Sequence, residues 1–263
     1  MRYKEIKVDS LINKITKQDT LFGGKYTIDP YQNCEFGCKY CDSSLDKVIY
    51  IKTNSEKILS REINQIERDL IIVGSVHDPY QQAEQKYQIT RKLLKIIQKN
   101  NFPCHILTKS NLVLRDIDIL SKIKKCIVTI SLISIKKSVA SMFEKDVPTP
   151  DIRLHTIKKL SRLGISSGIA IMPILPYITE KEIKDIIKQA KNNGATHILY
   201  KHLELKGDQR ILYLNILKKY YPELFDKYLR LYQNSYQPDD DYILKIKEEI
   251  NILCKKNGLN SKI

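Results

Sequence analysis

The sequence predicts an α/β protein, a partial (β/α)6 TIM-type barrel followed by a C-terminal helical extension. From Tyr26 onward a unit of roughly 30 residues recurs, in which a short apolar, β-like run precedes an amphipathic helical run. This alternation predicts parallel strands that are joined by crossover helices. Because the unit occurs six times, we expect an open barrel and not the closed eight-stranded form.

The predicted elements follow one another in regular order. The six strands span residues 26–28, 70–76, 104–108, 127–132, 165–173 and 197–203. The six helices span residues 56–68, 84–99, 116–124, 136–144, 152–163 and 180–192. Ser55, Asp151 and Thr179 are typical helix-start residues, and Gly164 and Gly194 are placed to end the fifth and sixth helices.

The chain divides into three predicted parts. Residues 1–25 form an N-terminal edge segment that ends in a turn at Gly23-Gly24. Residues 26–205 form the partial barrel. Residues 206–263 form a tyrosine-rich helical extension that we expect to close the open side of the barrel. The acidic run 239–241 predicts the start of its last helix, because acidic side chains favour the positive end of the helix dipole.

Length and composition limit the class of protein. A chain of 263 residues is at the upper end for a single domain with one core. No run reaches the roughly 18 apolar residues of a membrane span, and the first residues do not open a signal peptide. We therefore expect a cytoplasmic protein with no membrane partner. Its six cysteines are not typical of a disulfide framework in an intracellular chain of this size.

The chain is strongly basic, with a formal net charge of +15 at pH 7. A basic excess attracts nucleic acid through the release of counterions. The lysines are spread along the whole chain, however, and no basic run is interleaved with aromatic residues as in a single-strand binding groove. Charge alone therefore leaves nucleic-acid binding open.

Three cysteines, Cys34, Cys38 and Cys41, stand in one short stretch with three and then two residues between them. Thiolates at this spacing on an irregular loop can converge on a single metal centre. Three ligands leave one coordination position vacant, whereas a structural zinc site is closed by four. Bacterial ferredoxins use a different spacing. The loop therefore predicts a [4Fe–4S] cluster with one iron free to bind a small molecule; the alternative is a zinc site completed by His77 or Cys104.

Further polar residues follow the predicted strands. In β/α barrels the active residues come from the carboxyl ends of the strands and from the loops after them. Ser75 and Asp78 follow the second strand, Lys109 follows the third, and Ser131 stands near the end of the fourth. We expect these residues to share one rim of the barrel with the cysteine loop.

The cysteine loop and its surroundings resemble a known family. The C-x3-C-x2-C spacing, with Tyr40 just before the last cysteine, is the signature of radical S-adenosylmethionine (SAM) enzymes. Four flanking segments are similar to those of the spore photoproduct lyase-like subgroup: Asp29-Pro30-Tyr31-Gln32-Asn33, Asp78-Pro79-Tyr80-Gln81, Leu107-Thr108-Lys109-Ser110 and Arg115-Asp116. The resemblance runs from about residue 11 to about residue 205.

The resemblance implies an enzyme with two cofactors, a [4Fe–4S] cluster on the three cysteines and SAM on the vacant iron. A low-potential flavodoxin or ferredoxin would supply one electron. SAM would then be cleaved reductively to a 5′-deoxyadenosyl radical, which abstracts hydrogen from the substrate. The cofactors carry this step, and the protein supplies orientation and exclusion of water.

The resemblance also implies contacts for individual side chains. Tyr40 would pack near the SAM adenine, Lys109 would pair with the SAM carboxylate, and Ser75 would contact the SAM amino group. Further candidates are Ser131 and Arg153 for the cofactor, and Asp78 and Tyr80 for the substrate. The structural alternatives are a buried tyrosine at 40, a solvated lysine at 109 and a helix-surface arginine at 153.

One segment departs from the family pattern. Spore photoproduct lyase has a cysteine at the end of the second strand, which returns a hydrogen atom to the repaired thymine. The same neighbourhood here is Gly74-Ser75-Val76-His77-Asp78, without a thiol. We therefore expect a lyase-like radical SAM enzyme that acts in DNA repair or modification, but not on spore photoproduct itself. The second hypothesis is modification of a protein or small molecule, and the third is a non-catalytic Fe–S or zinc protein that binds nucleic acid.

Overall fold

The computed structural model describes residues 1–16 and 21–263. Its strands are β1 (Arg2–Ile6), β2 (Asn13–Lys14), β3 (Tyr26–Ile28), β4 (Tyr31–Gln32), β5 (Val48–Lys52), β6 (Ile71–Val73), β7 (Cys104–Thr108), β8 (Cys126–Ser131), β9 (Ser166–Ile174) and β10 (His197–His202). Its α-helices are α1 (Ser55–Glu62), α2 (Ala83–Tyr87), α3 (Ile89–Lys99), α4 (Ile117–Leu120), α5 (Lys137–Phe143), α6 (Pro150–Arg162), α7 (Ile183–Asn192), α8 (Gly207–Tyr220), α9 (Phe225–Leu231) and α10 (Asp240–Asn257). Short 3-10 turns span Asp42–Ser44, Ile63–Gln65, Asn111–Asp116, Glu180–Glu182 and Pro222–Leu224.

The main sheet has the strand order β10-β9-β8-β7-β6-β3-β2 within the described residues. Each neighbouring pair from β3 to β10 is parallel, and β2 pairs antiparallel with β3. These parallel strands with helices between them confirm the predicted α/β class. Since successive strands lie side by side and run in the same direction, their carboxyl ends meet along one edge of the sheet.

The second strand of the barrel is shorter than predicted. The pattern predicts a strand over 70–76, whereas β6 ends at Val73. Gly74 follows with a positive φ of 86°. A Cβ atom at this position would lie 2.3 Å from Cδ of Pro79, so a residue with a side chain does not fit here. The early end of β6 leaves residues 74–78 free to form a loop at the rim.

The helices also differ from the prediction in places. The helix predicted over 84–99 is broken into α2 and α3 at Gln88, which has a left-handed φ of 52°. The helix predicted over 116–124 is reduced to the single turn α4, because a 3-10 turn precedes it. Gly164 and Gly194, which follow α6 and α7, have positive φ values of 73° and 82°, as helix-ending glycines do.

A second, three-stranded sheet was absent from the sequence prediction. Its order is β1-β5-β4, with β1 and β5 parallel and β4 and β5 antiparallel. Ile49 and Ile51 of β5 are completely buried, which fits the alternation of buried and half-buried residues along this strand. The N-terminal segment thus contributes β1 to this sheet and β2 to the main sheet, and its residues 17–20 lie outside the described residues.

The last part of the chain is helical and packs on the main sheet. Asp239 caps α10, and its Oδ1 accepts a hydrogen bond of 2.8 Å from the backbone N–H of Tyr242; this confirms the predicted helix start. Helix α10 packs on α7 and β10. Beyond it, the backbone of Asn260 pairs with His197 at the start of β10. Across the part of the chain that the structure describes, no helix has the length and apolar character that crossing a membrane requires.

Candidate cofactor and substrate site

The cysteine loop is held by backbone hydrogen bonds to its neighbours. The N–H of Cys34 donates to the carbonyl of Ser43 at 2.7 Å, and the N–H of Lys39 donates to the carbonyl of Phe143 at 2.8 Å. Gly37 adopts a positive φ of 63° between the first two cysteines. Such a turn allows the loop to present all three thiols to the same space.

The three thiols are free, and two of them are buried. Burial raises the pKa of Cys34 to about 12 and raises that of Cys38 as well. Burial therefore opposes ionisation of these thiols while no metal is bound. A bound iron centre would displace the protons, since the thiolate is the form that binds metals.

The cysteine loop opens onto a cavity of about 560 Å³ at the carboxyl edge of the main sheet. The loops after β3, β6 and β7 and the ends of β8, β9 and β10 all contribute to its wall. The predicted site residues that line it are Cys34, Cys38, Tyr40, Cys41, Ser75, Asp78, Lys109 and Ser131. The structure thus brings eight predicted residues together at one rim.

Lys109 and Tyr40 meet in this cavity. The Lys109 Nζ lies 5.9 Å from the centroid of the Tyr40 ring, which is within the range of a cation–π contact. Burial acts to lower the pKa of Lys109, but the acidic groups around it, Cys38 first and then Glu144, outweigh burial and raise the pKa. Lys109 therefore stays cationic beside the thiols and is not a solvated surface lysine.

Tyr40 is fixed by a buried carboxylate. Its hydroxyl donates to Glu144 Oε1, and Arg153 Nη2 donates to the other oxygen of the same carboxylate. The side chains of Glu144 and Arg153 are each only 1% exposed. A residue on α6 is thereby connected through Glu144 to the aromatic residue of the cysteine loop.

Arg153 is placed differently from both sequence interpretations. It does not stand on a helix surface, and it is absent from the lining of the cavity. Its Nη1 donates to the carbonyl of Ser131 at 3.0 Å and its Nε donates to the carbonyl of Pro148 at 2.7 Å. With Glu144, these contacts make Arg153 a support behind the cavity wall.

Asp78 organises the loop after β6. Its Oδ1 accepts from the Thr108 hydroxyl at 2.6 Å and from the Tyr80 N–H at 2.9 Å, and its Oδ2 accepts from the Lys109 N–H at 2.7 Å. Burial raises the pKa of Asp78. Three hydrogen bonds occupy this carboxylate, so its first role is to join the loops after β6 and β7.

Asp29 does the same for the segment around Ser75. Its two carboxylate oxygens accept from the Ser75 hydroxyl at 3.2 Å and from the N–H groups of Val76 and His77 at 3.1 and 3.0 Å. Asp29 belongs to a segment that carries the family resemblance, and the sequence predicted no contact for it. Its sequence position could have indicated such a contact, because Asp29 directly follows β3 at the carboxyl edge of the main sheet.

Tyr80, which was predicted to contact the substrate, lies away from the cavity. It is 1% exposed and belongs to the hydrophobic core, and it does not line the cavity. Its hydroxyl donates to Asp116 Oδ2 at 3.0 Å. The proline before it turns the chain, so the tyrosine side chain packs inward and away from the rim.

Neither residue proposed to complete a zinc site is in position to do so. Cys104 opens β7 and therefore lies at the amino end of the strand, opposite the cysteine loop, with its Sγ 3.8 Å from that of Cys126. His77 does not line the cavity. It is half-buried, and its Nδ1 lacks a partner among the described residues.

The three cysteines line one cavity, and two of them are buried. Within residues 1–16 and 21–263, no three His, Cys, Asp or Glu side chains converge closely enough to hold one metal ion. Sulfurs on one zinc share bonds of about 2.3 Å to the same atom and must be adjacent. In a [4Fe–4S] cluster, by contrast, the thiolates bind the irons of the cluster and do not share one ion.

A sequence model described as the radical SAM superfamily matches residues 28–190. The chain belongs to the radical SAM superfamily. The matched range contains all three cysteines and every strand of the main sheet from β6 to β9.

Two uncharacterized proteins align with most of the chain. An uncharacterized protein of Mycobacterium tuberculosis is 25% identical over 277 aligned positions, which cover 98% of this chain and 81% of the relative. An uncharacterized protein of Methanocaldococcus jannaschii is 29% identical over 215 positions, which cover 78% of this chain and 79% of the relative.

Solved structures share the fold of this radical SAM protein. Spore photoproduct lyase complexed with dinucleoside spore photoproduct has a TM-score of 0.76 at 14% identity, over 99% of this chain and 82% of that chain. SuiB of Streptococcus suis bound to S-adenosylmethionine has a TM-score of 0.62 at 14% identity, over 90% of this chain and 48% of that chain. The resemblance to spore photoproduct lyase is thus confirmed at the level of the fold.

Two residues that bear on this radical SAM site were not predicted from the sequence. Glu144 ends a helix that carried no motif, and only the folded chain brings it to Tyr40. Gln209 lies beyond the range of the family resemblance, yet it lines the cavity. A buried glutamine at the third position of a helix gives no sequence signal for a site.

Proposed function

We propose that this protein binds a [4Fe–4S] cluster through Cys34, Cys38 and Cys41 and reductively cleaves SAM in the adjoining cavity. The observation that carries the proposal is that three free thiols, Tyr40 and Lys109 line the same cavity. The cluster would supply the electron that breaks a carbon–sulfur bond of SAM.

The residues of the chain would bind and orient SAM. Lys109 is a half-buried cation at the cavity wall and suits the SAM carboxylate. Tyr40 offers a ring held by Glu144, and it suits the adenine. The hydroxyls of Ser75 and Ser131 suit the amino and ribose groups. Arg153 acts on this group only through Ser131 and Glu144, and Asp78 acts mainly by holding the neighbouring loops.

We propose the finer architecture that the sequence predicts. Residues 26–205 are a partial barrel of six β/α units, residues 1–25 are an edge segment, and residues 206–263 are a helical extension over the open side. The six parallel strands β3, β6, β7, β8, β9 and β10 support this division. A low-potential flavodoxin or ferredoxin is the proposed electron donor.

The proposed substrate is nucleic acid, in a repair or modification reaction. The net charge of +15 and the fold shared with spore photoproduct lyase support it. The segment after β6 has no thiol, so the hydrogen-atom return of spore photoproduct lyase has no counterpart there. We therefore propose a nucleic-acid substrate other than spore photoproduct. The second candidate function is modification of a protein or small molecule.

The decisive experiment is anaerobic reconstitution with iron and sulfide, followed by incubation with SAM and dithionite and an assay for 5′-deoxyadenosine. The wild-type protein should form it and Cys38→Ala should not. A wild-type protein that binds iron but never cleaves SAM would overturn the catalytic proposal in favour of a binding protein. For the nucleic-acid substrate, DNA affinity should fall steeply with salt concentration, and weak, salt-insensitive binding would contradict it.

A further inference from the structure

The cavity has a second wall that the SAM contacts do not use. It is built from the end of β10 and the start of α8. Its lining side chains are Lys201, His202, Leu203, Glu204, Lys206 and Gln209. These residues lie at the end of the family resemblance or beyond it, so no role is carried over to them.

Gln209 is the one buried amide of this wall with an unused donor. Its residue is only 2% exposed. Its Oε1 accepts a long hydrogen bond of 3.4 Å from the N–H of Lys206, as in a capping box at the start of α8. Its Nε2 has no partner in the described parts of the chain. An amide NH₂ that is buried unpaired against a cavity is unfavourable until a ligand supplies an acceptor.

The mouth beside Gln209 is basic. Lys201 Nζ and Lys206 Nζ pair with the two oxygens of Glu204 at 2.7 and 3.0 Å, so one carboxylate faces two ammonium groups. Both lysines are exposed. Phosphates, which keep their charge, are therefore best placed at this exposed rim, whereas the buried and uncharged Gln209 suits an uncharged acceptor deeper in the cavity.

His202 adds a second uncharged group to the same wall. It is half-buried, and neither ring nitrogen has a partner within the described chain. Burial lowers the pKa of His202, so the ring is neutral at physiological pH and offers one donor and one acceptor. The wall thus matches the carbonyl and N–H groups that alternate along the edge of a nucleobase.

We propose that Gln209 is a specificity-determining residue that donates its Nε2 hydrogens to a carbonyl oxygen of a substrate nucleobase while Lys201 and Lys206 hold the adjoining phosphates. This inference rests on the nucleic-acid substrate of the proposed function. A residue of α8 would thus recognise the base, and the contacts proposed for SAM stay the same.

The test compares two fluorescein-labelled probes of equal length and charge by fluorescence anisotropy, with reconstituted protein in the presence of SAM. One probe is a single-stranded thymidine oligonucleotide of roughly twelve nucleotides, and the other carries abasic sites at its central positions. Wild type should bind the thymidine probe about tenfold more tightly than the abasic probe, as expected for one good base contact.

Two substitutions separate base reading from helix capping. Gln209→Glu keeps an acceptor for the Lys206 N–H and loses the donor, whereas Gln209→Met loses both. Both variants should lower the ratio of the two affinities to about one. As the matched control, the double variant Lys201→Gln/Lys206→Gln should weaken both probes equally, keep the ratio and reduce the salt dependence of binding.

Equal binding of the two probes by wild type would overturn the inference, and so would a ratio that persists in Gln209→Glu. A loss of the ratio in Gln209→Met alone would also overturn it, because that result indicates a capping role. Formation of 5′-deoxyadenosine without oligonucleotide is measured in parallel. Its absence overturns the proposed SAM chemistry, whereas the ratio of affinities tests Gln209 independently.

Discussion

Lys109 holds its ammonium group 5.9 Å from the centre of the Tyr40 ring, so a residue that follows β7 meets the aromatic residue of the cysteine loop. Nothing in the local sequence links these two positions. They meet because β3 and β7 both end at the same edge of the sheet.

The first prediction concerns Lys109. Lys109→Met should weaken SAM binding roughly tenfold to hundredfold, because it removes a half-buried charged donor from the wall. Iron and sulfide content should stay at wild-type values. Equilibrium dialysis with SAM measures the affinity, with the exposed Lys188→Met on α7 as control. Wild-type affinity in Lys109→Met would show that another group binds the SAM carboxylate.

The second prediction distinguishes the two groups of cysteines. Cys34→Ala, Cys38→Ala and Cys41→Ala should each lose most of the roughly four irons per chain that one cluster contains. Cys104→Ala and Cys126→Ala should retain them, because these residues open β7 and β8 at the far end of the strands. The measurement is iron and sulfide content with the absorbance spectrum after reconstitution. Loss of iron in Cys104→Ala would contradict the assigned ligand set.

The third prediction concerns the buried pair of Glu144 and Arg153. Arg153→Met should reduce the free energy of unfolding by roughly 3–5 kcal/mol, because it leaves the Glu144 carboxylate buried without its charged partner. The double variant Glu144→Gln/Arg153→Met should be less destabilised than Arg153→Met. Urea denaturation measures both.

Arg162→Met is the matched control on the same helix, since Arg162 is exposed. Its effect should stay within about 0.5 kcal/mol. If Arg153→Met were equally mild, the pair would contribute little to stability.

The fourth prediction concerns pH and two buried histidines. His105 Nε2 and His197 Nε2 each lie 2.7 Å from the hydroxyl oxygen of Thr129 inside the barrel. Burial lowers the pKa of His105 to about 3 and that of His197 to about 4. Below the ordinary histidine pKa of about 6.5, both histidines therefore become protonated in the unfolded chain but stay neutral in the folded chain.

Stability should consequently fall as the pH decreases from about 6.5 towards about 4, by an amount on the order of 2 kcal/mol per histidine at about pH 5. Urea midpoints at several pH values test this slope. His105→Gln should flatten it, whereas His155→Gln, at an exposed position, should not. An unchanged slope in His105→Gln would exclude that residue as the source.

The sequence predicted the parts of the site that depend on strand direction. Because parallel strands end at one edge, the residues directly after them, such as Ser75 and Lys109, reach the cavity whatever the details of packing. The spacing of the three cysteines in one loop likewise predicted a metal centre. Asp29 followed from the identical rule and could have been included.

Strand direction does not predict which way an individual side chain points. Tyr80 stands two residues after Asp78, yet it points into the core because Pro79 turns the backbone between them. Arg153 has the polarity of a surface residue, and only the burial of Glu144 against it explains its place. Glu144 reaches Tyr40 and Gln209 reaches the cavity through packing between distant segments, which no local sequence pattern predicts.

The backbone of Asn260 accepts a hydrogen bond of 2.8 Å from Ile198 and donates one of 3.1 Å to Thr196. β10 is the terminal strand of the main sheet within the described residues, and an uncovered strand of this kind recruits other chains by edge-to-edge pairing. By pairing with the start of β10, the segment around Asn260 thus limits edge-to-edge aggregation. Concentrated samples of a variant that loses this pairing should precipitate sooner, even where every residue around the cysteines is intact.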